Sequence, residues 1–249
     1  MTPDPSATAL PAPEILPLGL DALVIRFALQ FSEPANAAAQ ALAADLEAAP
    51  LPGQAEVAPA LASVLLRYDR SATTGEALAQ ALAPRLASLP ATAPLPTRRW
   101  TVPACFGAAA GPQLAEAATL AGRSETALVA ELCATELRVL ALGFAPGQPY
   151  LGLLPEHWQM PRLPALTPRV EPGTITTAIR QIVLFAAPSP TGWRALGRCA
   201  LRPFAPDAPE PFLLRPGDAL RFAPADAGEI AALDAAGDPR GGSVLEILK

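Results

Sequence analysis

Leu142-Gly143-Phe144-Ala145-Pro146-Gly147-Gln148-Pro149-Tyr150-Leu151-Gly152 is the stretch on which the reading of this chain turns. Three glycines and two prolines are interleaved with Phe144 and Tyr150, and no regular helix survives that composition, because proline removes amide donors and glycine removes conformational restraint. The segment is a shaped loop. An apolar, strand-like run from Leu137 to Leu142 feeds it and Tyr150-Leu151 follows it, which places it at the mouth of a sheet or barrel with aromatic side chains presented. The plainer alternative is a tight turn with a small aromatic core.

Downstream, helical periodicity is almost absent. Short apolar runs recur between Gly/Pro turns, at Leu137 to Leu142, Thr174 to Ala178, Gln181 to Phe185, Trp193 to Ala200, Phe212 to Leu214 and Ala219 to Phe222. That spacing predicts an all-β barrel or sandwich. Asp226 with Glu229 caps a short helix to about Ala236, and Ser243 to Leu248 is a last strand or an arm onto a partner.

Upstream the pattern differs. Residues 1–14 are rich in Pro, Ala and Ser without periodicity and form a disordered tail. Ala22 to Phe31 reads as the first strand, and Pro34 opens a helix to about Ala48 with Ala38, Leu42 and Leu46 on one face. Ala55 to Ala58 and Ser63 to Asp69 form a hairpin pair, and Thr73-Thr74-Gly75-Glu76 has the spacing of a capping box for a helix through Leu89, with Pro84 kinking it. With Arg98 to Pro103 as the closing strand, residues 15–89 become a ferredoxin-like β-α-β-β-α-β domain. Residues 90–136 then hold a Pro-rich linker (Pro90 to Thr97), that closing strand, and a bridge of two short helices, Pro112 to Ala121 and Ser124 to Leu137. The barrel domain occupies 137–249.

Composition narrows the function classes. With 51% apolar and 16% charged residues and 31 prolines, the chain is globular and loop-rich, with no room for a long coiled coil. A net charge of -5 without any Lys/Arg run gives no electrostatic pull toward nucleic acid or anionic lipid. Met1 to Ile15 lacks Lys and Arg and is broken by proline, so neither a secretory signal nor a membrane span is read and a cytoplasmic location is expected. Cys105, Cys133 and Cys199 match no metal knuckle or disulfide framework and read as buried thiols. The single histidine, His157, excludes a site of several His ligands, so no metal is expected; a surface-loop position is its plainer reading.

An ordered series of motifs carries a family resemblance: the 142–152 loop, Pro161-Arg162, Thr167-Pro168-Arg169, Glu171-Pro172-Gly173-Thr174-Ile175, Ser189-Pro190-Thr191-Gly192-Trp193 through Gly197-Arg198, and Arg215-Pro216-Gly217-Asp218. Over roughly residues 15 to 225 the chain resembles the KipI family, also called allophanate hydrolase subunit 1 and, in bacteria, the B subunit of 5-oxoprolinase. The resemblance implies an α+β protein, a ferredoxin-like domain followed by a cyclophilin-like β-barrel, and Leu18-Gly19, Asn36 and Tyr68-Asp69 sit where the family's first domain carries them. It implies one component of an ATP-dependent 5-oxoprolinase, joined by a KipA-type C component and a LamB/YcsF-type A component, with ATP and magnesium used at the level of the complex and 5-oxoproline as substrate. Two other roles follow from the same family: a regulatory inhibitor of a sensor histidine kinase, and the carboxyltransferase component of a urea carboxylase/allophanate hydrolase system.

The chain departs from the family at three positions. Leu132 stands where relatives commonly have a helix-end His, Gln148 where they usually have Phe, and Thr191 where their motif has Gly, which makes the pocket polar where relatives are apolar or open. A changed substrate or a lost activity would follow.

No phosphate loop, dinucleotide fingerprint, zinc motif or nucleophile elbow occurs, so no catalytic residue is assigned and no cofactor is expected on the isolated chain. The available chemistry is anion binding. Arg162, Arg169 and Arg198 among Phe144, Tyr150 and Trp193 suit a carboxylate or phosphoryl group, with glycine-framed backbone donors completing the site. The substrate-binding candidates are Phe144, Pro146, Gly147, Tyr150, Arg169, Gly173, Trp193 and Arg198. The competing reading has these arginines paired with Glu171 and Asp218, tying the loops together.

Overall fold

In the computed structural model, which describes residues 12–90 and 95–248, the chain divides into two units at Leu95/Pro96. In the first, strand β1 (Glu14–Leu18) turns at Gly19, in the left-handed region at φ 63°, into β2 (Ala22–Arg26). Two expectations are corrected. Residues 1–11 lie outside the described part of the chain, but Glu14, assigned to the tail, begins a strand and accepts a hydrogen bond from Arg26 Nε at 2.8 Å across the hairpin. The strand expected to reach Phe31 stops at Arg26.

Ser32 Oγ accepts from Ala35 N and caps α1 (Glu33–Ala48), where Pro34 occupies a first-turn position whose amide has no helical partner anyway. The hairpin β3 (Gln54–Pro59) and β4 (Ser63–Tyr68) follows, then α2 (Gly75–Ala87), with Pro84 inside it. Its cap is Thr74, one residue after the position the capping-box spacing marks. The four strands form an antiparallel sheet in the order β1-β2-β4-β3. Leu23, Ile25, Val64 and Leu66 from one face of it share a core with Ala38, Leu42 and Leu46 of α1 and Leu78 and Leu82 of α2.

The ferredoxin-like arrangement is therefore not reproduced, and the order is β-β-α-β-β-α. The place beside β2 where a closing strand would pair belongs to β1, joined by a short turn that costs little loop-closure entropy. The expected closing strand lies in the second unit.

There, β5 (Arg98–Phe106) is followed by α3 (Leu114–Leu120), α4 (Glu125–Ala134), β6 (Leu137–Leu142), β7 (Pro149–Gly152) and a single 3₁₀ turn at Glu156–Trp158. Then come β8 (Thr167–Val170), β9 (Thr174–Ala178), β10 (Gln181–Leu184), β11 (Ser189–Thr191), β12 (Arg194–Cys199), β13 (Ala219–Pro224), α5 (Ala227–Ala235) and β14 (Val244–Ile247). Seven strands run β12-β9-β10-β7-β6-β13-β5 and close, because Ala104 to Phe106 of β5 pair with Gly197 to Cys199 of β12. The first half of the same β5 edge bonds β14 instead. β8 and β11 form a separate two-stranded ribbon.

The barrel interior is filled by Trp100, Val102, Leu137, Val139, Leu151, Ile175, Ile182, Leu184, Leu196, Leu220 and Phe222. Leu114, Leu128 and Leu132 join this core, so the two helices read as an inter-domain bridge are part of the barrel unit. Cys105 and Cys199 are buried and Cys133 half-buried, all as free thiols, and burial pushes Cys133 up to about 11 and Cys199 up to about 12. Among the described residues no helix is long and apolar enough to cross a membrane, and no cluster of His, Cys, Asp and Glu could hold a metal.

Candidate functional site

Alternation along the strands builds the site. Ile182 and Leu184 of β10, Leu151 of β7 and Ile175 of β9 point into the barrel. Their neighbours Val183, Tyr150 and Ala178 point the other way and, with Phe185, Val170 and Trp193, form a second small apolar cluster. The cavity lies against that cluster, on the outer face of the barrel wall rather than in its filled interior.

The 142–152 loop forms one wall. Gly143 N donates to Gln148 O at 3.0 Å and Gln148 N to Ala145 O at 3.1 Å, closing the connection between β6 and β7 on itself. Gly147 sits at φ 69°, where a Cβ would come 2.9 Å from Pro203 O, so glycine is required there. Phe144, at φ 71°, is held 72% exposed at the rim. The opposite wall is the β11–β12 turn. Trp193 N donates to Thr191 Oγ1 at 3.0 Å, and Leu163 N to Gly192 O at 2.6 Å, which brings the segment carrying Arg162 and Leu166 to the mouth.

The result is a cavity of about 310 Å³ lined by Phe144, Leu166, Val183, Phe185, Pro190, Gly192 and Trp193, with polar groups from Gln148, Tyr150, Arg162 and Thr191. Tyr150 meets Trp193 edge to face at 6.1 Å, and the Arg162 guanidinium lies 5.8 Å from the Trp193 ring centroid. Burial raises the Tyr150 phenol, against a smaller opposing pull from Arg162, so it is a neutral donor near pH 7. Among the described residues no carboxylate lines the cavity. One cation, several donors and apolar walls suit a small acceptor-rich anion.

Of the residues singled out from sequence, Phe144, Tyr150 and Trp193 converge here together with Arg162. Pro146 and Gly147 shape the loop without lining the cavity. The expected cluster of three arginines does not assemble. Arg169 Nε donates to Glu171 Oε1 at 2.7 Å in an exposed pair, as the competing reading had it. Arg198 Nη2 lies 2.8 Å from Asp234 Oδ2 of α5, and Arg202 holds the other oxygen of the same carboxylate. Gly173, at φ 84°, lets two backbones meet, since a Cβ there would fall 2.2 Å from Cys199 O. Asp218 is tied to the barrel instead, accepting from Trp100 Nε1 at 3.1 Å with Arg98 Nε at 3.2 Å; desolvation raises its carboxyl despite these partners. His157, half-buried, sits 2.8 Å from Glu131 Oε2 on α4.

Sequence reasoning flagged Gln148 and Thr191 only as departures from a family pattern. Val183 and Phe185 could have been found, since period-2 alternation in β10 separates them from Ile182 and Leu184. Leu166, in an irregular segment, carried no signal.

One unit is a closed barrel with a donor-rich pocket on its outer wall, and the other is a four-stranded α/β unit. Residues 13–214 match the family model described as carboxyltransferase domain, subdomain C and D, and the chain belongs to that family. A Bacillus subtilis (strain 168) protein, named as the B subunit of 5-oxoprolinase, is 31% identical over 219 residues, 84% of this chain and 91% of that protein. The Escherichia coli O157:H7 protein of the same name is 39% identical over 127 residues, 51% of this chain and 58% of its own length. Among solved structures, TTHA0988 is 34% identical with a TM-score of 0.71 over 84% of this chain, which spans 40% of that longer chain. Kluyveromyces lactis urea carboxylase superposes on 91% of this chain, and this chain on 23% of it, with a TM-score of 0.70 at 17% identity; that likeness is one of fold alone.

Proposed function

We propose that this chain is the B component of a cytoplasmic, ATP-dependent 5-oxoprolinase that opens 5-oxoproline to glutamate together with KipA-type and LamB/YcsF-type components. The observation that carries the proposal is the alignment with the Bacillus subtilis protein that bears the 5-oxoprolinase B name, which runs through nearly the whole of both chains. Pocket chemistry supports it. The five-membered lactam acid has an apolar ring for Trp193, Phe185 and Val183, acceptors for Gln148 and Tyr150, and a carboxylate for Arg162.

Magnesium-ATP does not suit this pocket, which among the described residues has one guanidinium, no carboxylate for a metal and no glycine-rich phosphate cradle. Nucleotide binding is therefore assigned to the complex, and this chain's part is to bind and orient the substrate. Carboxyl transfer is the second reading, favoured by the description of the matching family.

Glutamate and phosphate formation from 5-oxoproline and ATP, measured with the three components mixed and singly omitted, tests the proposal. Turnover should require this chain and be absent from it alone. Full activity without it, or appreciable activity from it by itself, contradicts the proposal.

A further inference from the structure

Gln148 is 1% exposed, yet it lines the cavity. Its Oε1 accepts from Ala186 N at 3.4 Å, and because a backbone N–H can only donate, the amide oxygen is the atom on that side and the NH₂ group is turned away from it. Among the described residues Nε2 has no hydrogen-bond partner. With Oε1 turned to Ala186 N, Nε2 is the polar atom of the side chain left for the cavity that Gln148 lines. Burying an amide donor without a partner is unfavourable, and a ligand carbonyl placed there would relieve that cost. The backbone of Gln148 is fixed by two hydrogen bonds within its loop, so the donor is preorganised.

Arg162 supplies the second point. It stacks on Trp193 and has no carboxylate within ion-pairing distance among the described residues, unlike Arg169 and Arg198. We infer that Gln148 selects the substrate by donating to its amide carbonyl while Arg162 holds its carboxylate, so that the pocket discriminates a cyclic amide acid from its carbocyclic analogue. The identity of the ligand rests on the 5-oxoprolinase reading.

Ligand-observed NMR titration of the purified full chain tests it, with 5-oxoproline, cyclopentanecarboxylate (no amide) and 2-pyrrolidinone (no carboxylate) as probes. The expected result is 5-oxoproline about tenfold tighter than either analogue. Gln148→Met, close in length and apolar, should bring 5-oxoproline to the level of cyclopentanecarboxylate and leave the latter unchanged; Arg162→Gln should weaken both acids and spare pyrrolidinone. Gln148→Glu keeps an acceptor for Ala186 N and, if folded by thermal melting, should lose 5-oxoproline as well. Equal affinities for 5-oxoproline and cyclopentanecarboxylate, no binding by the folded chain, or an unaffected Gln148→Met variant overturns the inference. The reconstituted complex separates the two claims. Normal turnover with an unchanged KM in Gln148→Met leaves the 5-oxoprolinase reading standing and removes Gln148. Absent turnover, with the amide preference intact, does the reverse.

Discussion

Asp234 holds two guanidinium groups at once, those of Arg198 and Arg202, and this explains why an arginine framed by glycines and tryptophan is not in the pocket. From sequence, Arg198 is favoured over Arg162 as a binding residue, because it follows Gly-Trp-x-x-x-Gly where the resemblance places the pocket. What reverses that order is a carboxylate contributed by α5, a helix whose cap at Asp226 was readable but whose docking against the barrel was not. Asp234→Asn would remove the ion-pair partner shared by both half-buried arginines, and it should cost about 1–3 kcal/mol in urea unfolding. Ligand affinity should not move. A stability unchanged by this substitution would remove the ion-pair account of Arg198.

Strands rich in β-branched residues and free of proline, such as Thr174–Ala178 and Gln181–Leu184, were readable as short runs between Gly/Pro turns. The strands not expected are Glu14–Leu18, Pro149–Gly152, Thr167–Val170 and Ser189–Thr191, and each contains a proline, that of Pro149–Gly152 at its first position. Proline removes a ladder donor and argues against a central strand, but β1 is a sheet edge and β8 pairs only with β11, so unpaired sides absorb the missing N–H. The same ribbon brings Thr191 and Pro190 to the cavity, which is why part of the site was hidden with it. At the start of β9 the constraint runs through Gly173, whose left-handed backbone and contact with Cys199 O leave no room for a side chain. Gly173→Ala should destabilise the barrel unit by about 3 kcal/mol or more in chemical denaturation. A loss below about 1 kcal/mol would show that the β9 and β12 backbones part more easily than this close approach implies.

Arg98 to Pro103 suits either sheet by its own residues, and only the closed barrel decides between them. β5 is long enough to run beside β13 along its length while giving one half of its other edge to β14 and the other half to β12. Pairing across so many residues is set by the whole chain, so no local pattern marks it. Each unit has a core of its own, and protease cleavage between residues 90 and 97 should release a fragment of about residues 96–249 that keeps β-rich circular dichroism and unfolds cooperatively. A fragment that loses this signal would mean one fused core. The central claim, that the cavity on the barrel wall is the substrate site of a multi-component 5-oxoprolinase, is tested most directly by comparing two arginine variants in the reconstituted complex. Arg162→Gln should lower kcat/KM for 5-oxoproline by about tenfold or more, and Arg198→Lys should keep near-normal activity per folded molecule with a lower melting temperature. Activity lost in Arg198→Lys and retained in Arg162→Gln would contradict the account and move the site to Arg198.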